Sequence, residues 1–325
     1  MKNTGSRDER NRILVIGSSN TDMVVTTDHL PAPGETLLGN SFFMSGGGKG
    51  ANQAVAAARL GASVSLICKV GDDVFGRQAM NLFAKEGIDI SQVLTDPAHP
   101  SGVALITVDA RGENCIAVAP GANACLLPGD LTEAGRPIAE CDIVLMQLEI
   151  PLETVAYLSE LAFRMGKRVI LNPAPACPLS GEILRYISLI TPNETEAALI
   201  SGVSITDGES AREAARKIAG MGIPEVIITR GGKGVLILSG GCFVDIPAFP
   251  VEVLDTTAAG DVFNGALALA VAGGLGLSDA ARFGAAAAAL SVTRKGAQTS
   301  APYLHELDEL LGMSCGSEQD GQRNE

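Results

Sequence analysis

The sequence predicts an α/β protein with a mainly parallel sheet covered by helices, and three observations carry that prediction. First, short β-branched runs recur at 13–16, 64–67, 143–146, 169–171, 189–191, 226–229 and 235–238. Second, helix-like stretches separate many of these runs, the alternation expected of parallel strands joined by crossover helices. Third, two stretches, 23–43 and 103–118, break the rhythm. Strand-like residues there are divided by Pro31, Pro33 and Gly34, and by the hairpin signal Asp109-Ala110-Arg111-Gly112. They read as a small β lid, which over the carboxyl edge of the sheet would exclude water from chemistry below it. A plain extension of the main sheet is the alternative.

The 325 residues, 46% of them hydrophobic, can bury a substantial core in one large domain, taken to span 12–311. Neither an internal repeat nor a low-complexity linker points to a second one. The net charge of -13 argues against nucleic acid or an anionic membrane surface as partner. The seven cysteines are scattered without the short spacing of a zinc or redox site, and read as reduced thiols. The three histidines, His29, His99 and His305, fall outside every cluster. The charged start lacks the apolar stretch of a signal peptide, so a cytoplasmic protein is expected, with disordered polar tails at 1–11 and 312–325. The apolar stretches at 262–277 and 284–292 fall short of the ~18 residues of a membrane span.

Five segments could carry chemistry. In Gly46-Gly47-Gly48-Lys49-Gly50-Ala51-Asn52-Gln53-Ala54, glycines precede a helical stretch at 51–60 that Gly61 ends. It is no P-loop, because Gly50 follows Lys49 where Ser or Thr is required. Lys49 and Asn52 supply donors one turn apart, suited to hydroxyls, although such a loop alone is more often a turn. The strand at 13–16 delivers Asn20, Thr21 and Asp22 to the edge where open α/β sheets bind ligands. Asp22 could clamp two neighbouring hydroxyls or simply form an Asx turn. Likewise Glu149 closes the run at 143–146, with a structural ion pair as its rival reading.

In Asp255-Thr256-Thr257-Ala258-Ala259-Gly260-Asp261, small residues before a helix leave its first N–H groups open to an anion. Asp261 in that first turn could accept a proton from an attacking hydroxyl, or merely stabilise the helix start. Asn193 and Glu196, three apart at another helix start, could hold Mg²⁺ through its waters or act as caps. Finally, Thr229, Arg230, Gly231, Gly232, Lys233 and Gly234 form a positively charged turn between two strands, either beside phosphates or as a tight hairpin only.

Across residues 12–311 the chain resembles the PfkB carbohydrate kinase family, and within it the ribose-phosphorylating branch. NTD near the start, GGGKGANQA, MQLE, NPAPA, TPNETEA, TRGGKG, DTTAAGD and TRKGAQTS carry the resemblance, in the family's order. It implies a Rossmann-like three-layer core with a β lid often used to form a homodimer, and transfer of the ATP γ-phosphate to O5 of D-ribose. Carried over by position, Asp261 is the base, with Gly260 in the anion hole. Asn20, Thr21, Asp22, Gly48, Lys49, Gly50, Ala51, Asn52 and Glu149 bind the sugar. Asn193 and 229–234 serve the nucleotide, Asn193 and Glu196 serve Mg²⁺, and K⁺ is implied at Asp255, Thr257, Ser291, Arg294, Gly296 and Ser300.

The chain departs from the family pattern at two places. Ala258 stands where the family usually has glycine, and is expected to keep a negative φ. Near the adenine, Ala285 offers only a methyl group. The rival activities are phosphorylation of deoxyribose, fructose or a nucleoside, the last disfavoured because Glu149 and the GGKGAN loop suit a free sugar. A sugar-binding regulator without catalysis is a further rival.

Overall fold

A computed structural model describes residues 11–312; the expected tails lie outside these residues except for Asn11 and Gly312. The main sheet has eight strands in the order Cys242–Ile246, Val235–Ser239, Glu225–Thr229, Leu189–Ile190, Arg168–Leu171, Ile143–Met146, Arg12–Ile16, Ser63–Ile67. From Glu225–Thr229 to Ser63–Ile67 every pairing is parallel, and the first two strands form an antiparallel edge. Seven strands match the β-branched runs to within a residue. The eighth, Cys242–Ile246, is not among the expected runs: it is a largely exposed edge strand whose apolar residues are broken by Asp245.

The pleat divides the core in two. Ile13 and Val15 face one layer, with the helices Lys49–Arg59, Ala259–Ala272 and Leu277–Ser291, whereas Leu14 and Ile16 face the other, with Leu152–Arg164 and Gly208–Gly220. This is the expected three-layer arrangement.

The lid is a separate four-stranded sheet, ordered Ser41–Gly47, Asn20–Thr26, Gly102–Val108, Asn114–Ala119. It is not an extension of the main sheet. Its first strand in the chain begins at Asn20, so Asn20 and Asp22 lie in a strand, and the Asx-turn reading is wrong. The hairpin at 109–112 forms as expected: Asp109 Oδ1 accepts from the N–H groups of Arg111 and Glu113, and Gly112 takes φ 83°.

Helix Lys49–Arg59 starts two residues before the apolar pattern, directly after the lid strand Ser41–Gly47, and Gly61 follows its end at φ 100°. It packs tightly on Ala259–Ala272. A Cβ on Gly265 would lie 2.6 Å from the Gln53 carbonyl oxygen and 2.9 Å from Ala56 Cβ, so only glycine permits this approach. Gly265→Ala should therefore destabilise the fold by about 1–3 kcal/mol, read as a lowered denaturant midpoint. An unchanged midpoint would mean that the helices part freely.

Candidate active site

Strand ends on the carboxyl side of the sheet converge on a polar cleft of about 190 Å³, bordered by Lys49, Asn172, Asn193, Glu196, Thr256 and Asp261. A larger open hollow of about 460 Å³ lies at the amino ends, beside Ser188 and Pro224. It holds no carboxylate, so the smaller cleft is the candidate.

Asp261 is buried at the start of Ala259–Ala272. It accepts from Asn52 Nδ2 on Oδ2 and from Gln53 Nε2 on Oδ1, both at 2.9 Å. The carboxylate is thus bound across to another helix, which removes helix capping as an account of it. Burial pushes its pKa above the ordinary value, against the opposing pull of Lys49 and the two amides. At this helix start Ala259 N–H bonds to Thr256 and Val262 N–H to Ala258, leaving the Gly260 and Asp261 N–H groups for an anion. A Cβ on Gly260 would meet nothing within 4 Å, so this glycine keeps the cleft open. Ala258 contradicts expectation: it adopts φ 59°, ψ 11°, the left-handed region. An alanine there costs about 1–2 kcal/mol, a strain held in the turn that presents these N–H groups.

Asn20 is held by Asn123, whose Nδ2 donates 2.8 Å to Asn20 Oδ1 and whose Oδ1 accepts from Ser19 N–H. Asp22 has its pKa raised to about 6, by burial first and then by Glu149 and Asp261. Glu149 is not the ion pair considered as its rival reading. It accepts from Ser18 Oγ at 2.5 Å and from Lys49 N–H at 3.0 Å, capping the helix that carries Lys49. Burial lowers the Lys49 pKa, but Asp261, Glu149, Glu196 and Asp22 more than reverse this. Thr21, Gly48, Gly50 and Ala51 continue the same lid-to-helix joint.

On the other side, Asn193 and Glu196 form a capping box, each side chain accepting the other's backbone N–H at 2.8 Å. The turn at 229–234 is a hairpin, and only Thr229 borders the cleft. Arg230 and Lys233 are paired with Glu194, and Gly231 and Gly234 take positive φ. The loops at 255–257 and 291–300 meet: Asp255 accepts from Thr257 N–H and Gly296 N–H, while Arg294 is drawn to Glu306. The Ser291 and Ser300 hydroxyls donate to neighbouring carbonyls, and Ala285 is half-buried.

His99 does fall in a cluster, contrary to expectation: its ring, Asp96 and Cys125 offer ligand atoms within 4.8 Å of one another. The Lys69 ammonium, 3.5 Å from Asp96, already supplies a cation there. Sequence reasoning also missed the roles of Gln53, Asn123, Gln147, Asn172, Thr191 and Asn264. For Gln53, Gln147, Asn172 and Thr191 the only signal was membership of quoted motifs, as with Gln147 in MQLE and Asn172 in NPAPA, and Asn123 and Asn264 carried none.

A model of the pfkB family carbohydrate kinases matches residues 10–304. The chain belongs to the pfkB family. Relatives within this carbohydrate kinase family include a ribokinase of Haemophilus influenzae, 46% identical over 93% of this chain and 99% of that one. A deoxyribokinase of Salmonella typhi is 38% identical, with the same coverage of both chains. Among solved structures, a ribokinase of Thermotoga maritima is 40% identical with TM-score 0.85, covering 92% of this chain and 99% of that one. An Arabidopsis thaliana ribokinase complexed with ribose and ATP is 30% identical with TM-score 0.88, covering 94% and 99%.

Were Asp22 to hold a sugar, its ionised form would be the one that accepts from two hydroxyls. Because Asp22 titrates at about 6, sugar affinity measured by calorimetry should weaken by up to about tenfold per pH unit below that point. A constant affinity between pH 5 and 8 would contradict it.

Proposed function

We propose that the chain is a ribokinase, transferring the γ-phosphoryl group of ATP to O5 of D-ribose. The observation that carries this reading is the juxtaposition of Asp261, a buried carboxylate, with the open N–H groups of its own helix start, beside the lid residues Asn20 and Asp22. In this reading the lid and Lys49-Asn52 side holds the sugar. O5 gives its proton to Asp261 and attacks phosphorus; the bond from phosphorus to the bridging oxygen breaks, and ADP leaves with that electron pair. The Gly260 region meets the negative charge on the transferring group, and Lys49 adds a positive charge where four carboxylates hold it protonated.

The residues fit the ions expected. Glu196 is buried with its pKa raised by that burial, a setting in which a cation would stabilise the ionised carboxylate. With Asn193 it would hold Mg²⁺ through water, and bound Mg²⁺ would neutralise phosphate charge. The oxygens of the joined loops, at Asp255, Thr257, Ser291, Arg294, Gly296 and Ser300, would hold K⁺, which would order the turn before Asp261. A kinase of this kind would draw on ATP in the cytoplasm. Among the described residues no helix is long and apolar enough to cross a membrane.

Deoxyribose is the specific rival, because a deoxyribokinase matches over as much of the chain as the ribokinases do. Turnover on ribose, deoxyribose, fructose and adenosine should be highest on ribose; a preference for any other would overturn the sugar assignment. Asp261→Asn should cut turnover by about 10²–10⁴ while ribose still binds. Unchanged turnover would remove Asp261 from the chemistry, and a parent enzyme inactive on every sugar would favour the regulator.

The lid would also join two copies of the chain. Phe42, Phe43, Met44, Leu105, Ile116 and Val118 are exposed on it, and Asn114–Ala119 is an outer strand exposed along its length. Light scattering should find a dimer that Ile116→Asp converts to monomer. A monomeric parent would contradict this.

A further inference from the structure

Gln53 is wholly buried on the helix Lys49–Arg59, and its amide bridges three other side chains. Its Nε2 donates to Asp261 Oδ1 at 2.9 Å and to Asn172 Oδ1 at 3.1 Å, while its Oε1 accepts from Gln147 Nε2 at 2.6 Å. Asn172 donates to the Thr191 carbonyl at 3.2 Å, and the Thr191 hydroxyl to Asn264 Oδ1 at 2.6 Å. Asn264 Nδ2 then donates to the Gly260 carbonyl at 2.8 Å, returning the chain to the turn before Asp261. The two ends of the Gln53 amide are not interchangeable. Flipped, its oxygen would face two acceptors, and its NH₂ would face the NH₂ of Gln147.

The two amides on Asp261 differ in position. Asn52 retains 7% exposure and holds Oδ2, while Gln53 has none and holds Oδ1. Gln53 therefore approaches from the core. We propose that Gln53 is the positioning residue for the base: it fixes Oδ1 from the buried side, so that Oδ2 is the oxygen that takes the sugar's proton. This rests on the reading of Asp261 as the base.

A buried carboxylate that loses one of its two donors is less stable ionised and freer to rotate. The charged groups that act on Asp261 are Lys49 of the same helix as Gln53, Glu149 after the strand Ile143–Met146, Asp22 of the lid and Glu196 of the helix Glu194–Ser201. Changing Gln53 alters none of them.

The test measures kcat and KM for ribose against pH in the intact enzyme, for Gln53→Met, Gln53→Glu and Asp261→Asn, with ribose binding as the check of folding. Gln53→Met should lower kcat about 10- to 100-fold, the worth of one hydrogen bond to a charged group. Its KM should stay within about threefold, because Gln53 lies behind the base, and the acid limb of its profile should move to higher pH. Gln53→Glu keeps the shape. The introduced carboxyl group, while protonated, donates to Asp261 as the amide does. Turnover should then fall on the alkaline side, where the new carboxyl and Asp261 lose the proton they share, adding an alkaline limb to the acid limb of the parent.

Should Gln53→Met fail to fold, the profile of Gln53→Glu decides. An Asp261→Asn enzyme as active as the parent would sink the base and the inference together. An inactive Asp261→Asn beside Gln53 variants that follow the parent profile would sink the inference alone.

Discussion

Burying an ionised carboxylate is among the costliest things a fold can do, and it is tolerated only where hydrogen bonds replace the lost water. Asp261 meets that condition through two consecutive residues of another helix, Asn52 and Gln53. Consecutive helical side chains diverge by about 100°, so both reach one carboxylate only if it sits between them at close range. The missing side chain of Gly265 gives that range, one turn beyond Asp261 on the same helix. The alanine-rich contact between these helices is therefore part of the site and not merely of the core.

The same helix couples Asp261 to the lid. The lid strand Ser41–Gly47 passes into Lys49–Arg59 through Gly48 alone, which takes φ 87° and whose Cβ would lie 2.7 Å from the Asn20 nitrogen. Asn123 holds Asn20 and Ser19, while Gln298, in the loop at 291–300, donates to the Gly47 carbonyl at 3.4 Å. Any movement of the lid thus bears on Lys49 and Asn52, and through them on Asp261. In the proposed reaction, sugar contact and base geometry would be set by one connected unit.

The parallel sheet was legible because buried strands read as β-branched runs, and the lid because prolines and a hairpin signal interrupt them. The edge strand Cys242–Ile246 was not, since it is short, largely exposed and broken by Asp245. Asp261, Asn20, Asp22, Lys49 and Asn52 could be named from residue type and place in chain. Gln53, Gln147 and Asn172 could not: an amide becomes a positioning group only through its partners, and the bonds that join Gln53 to Gln147, Asn172 and Asp261 span 94 or more residues. Ala258 was misjudged for a related reason. Its left-handed backbone follows from the helix start it precedes, and residue type alone argues for the opposite.

The proposed reaction depends on a sugar hydroxyl meeting one particular oxygen of one buried carboxylate. A crystal structure with ribose and a non-hydrolysable ATP analogue measures that contact directly. The ribose 5-hydroxyl should lie about 2.6–3.2 Å from Asp261 Oδ2, with Gln53 still on Oδ1. A 5-hydroxyl bound to another side chain, or Gln53 turned away from Asp261, would contradict it.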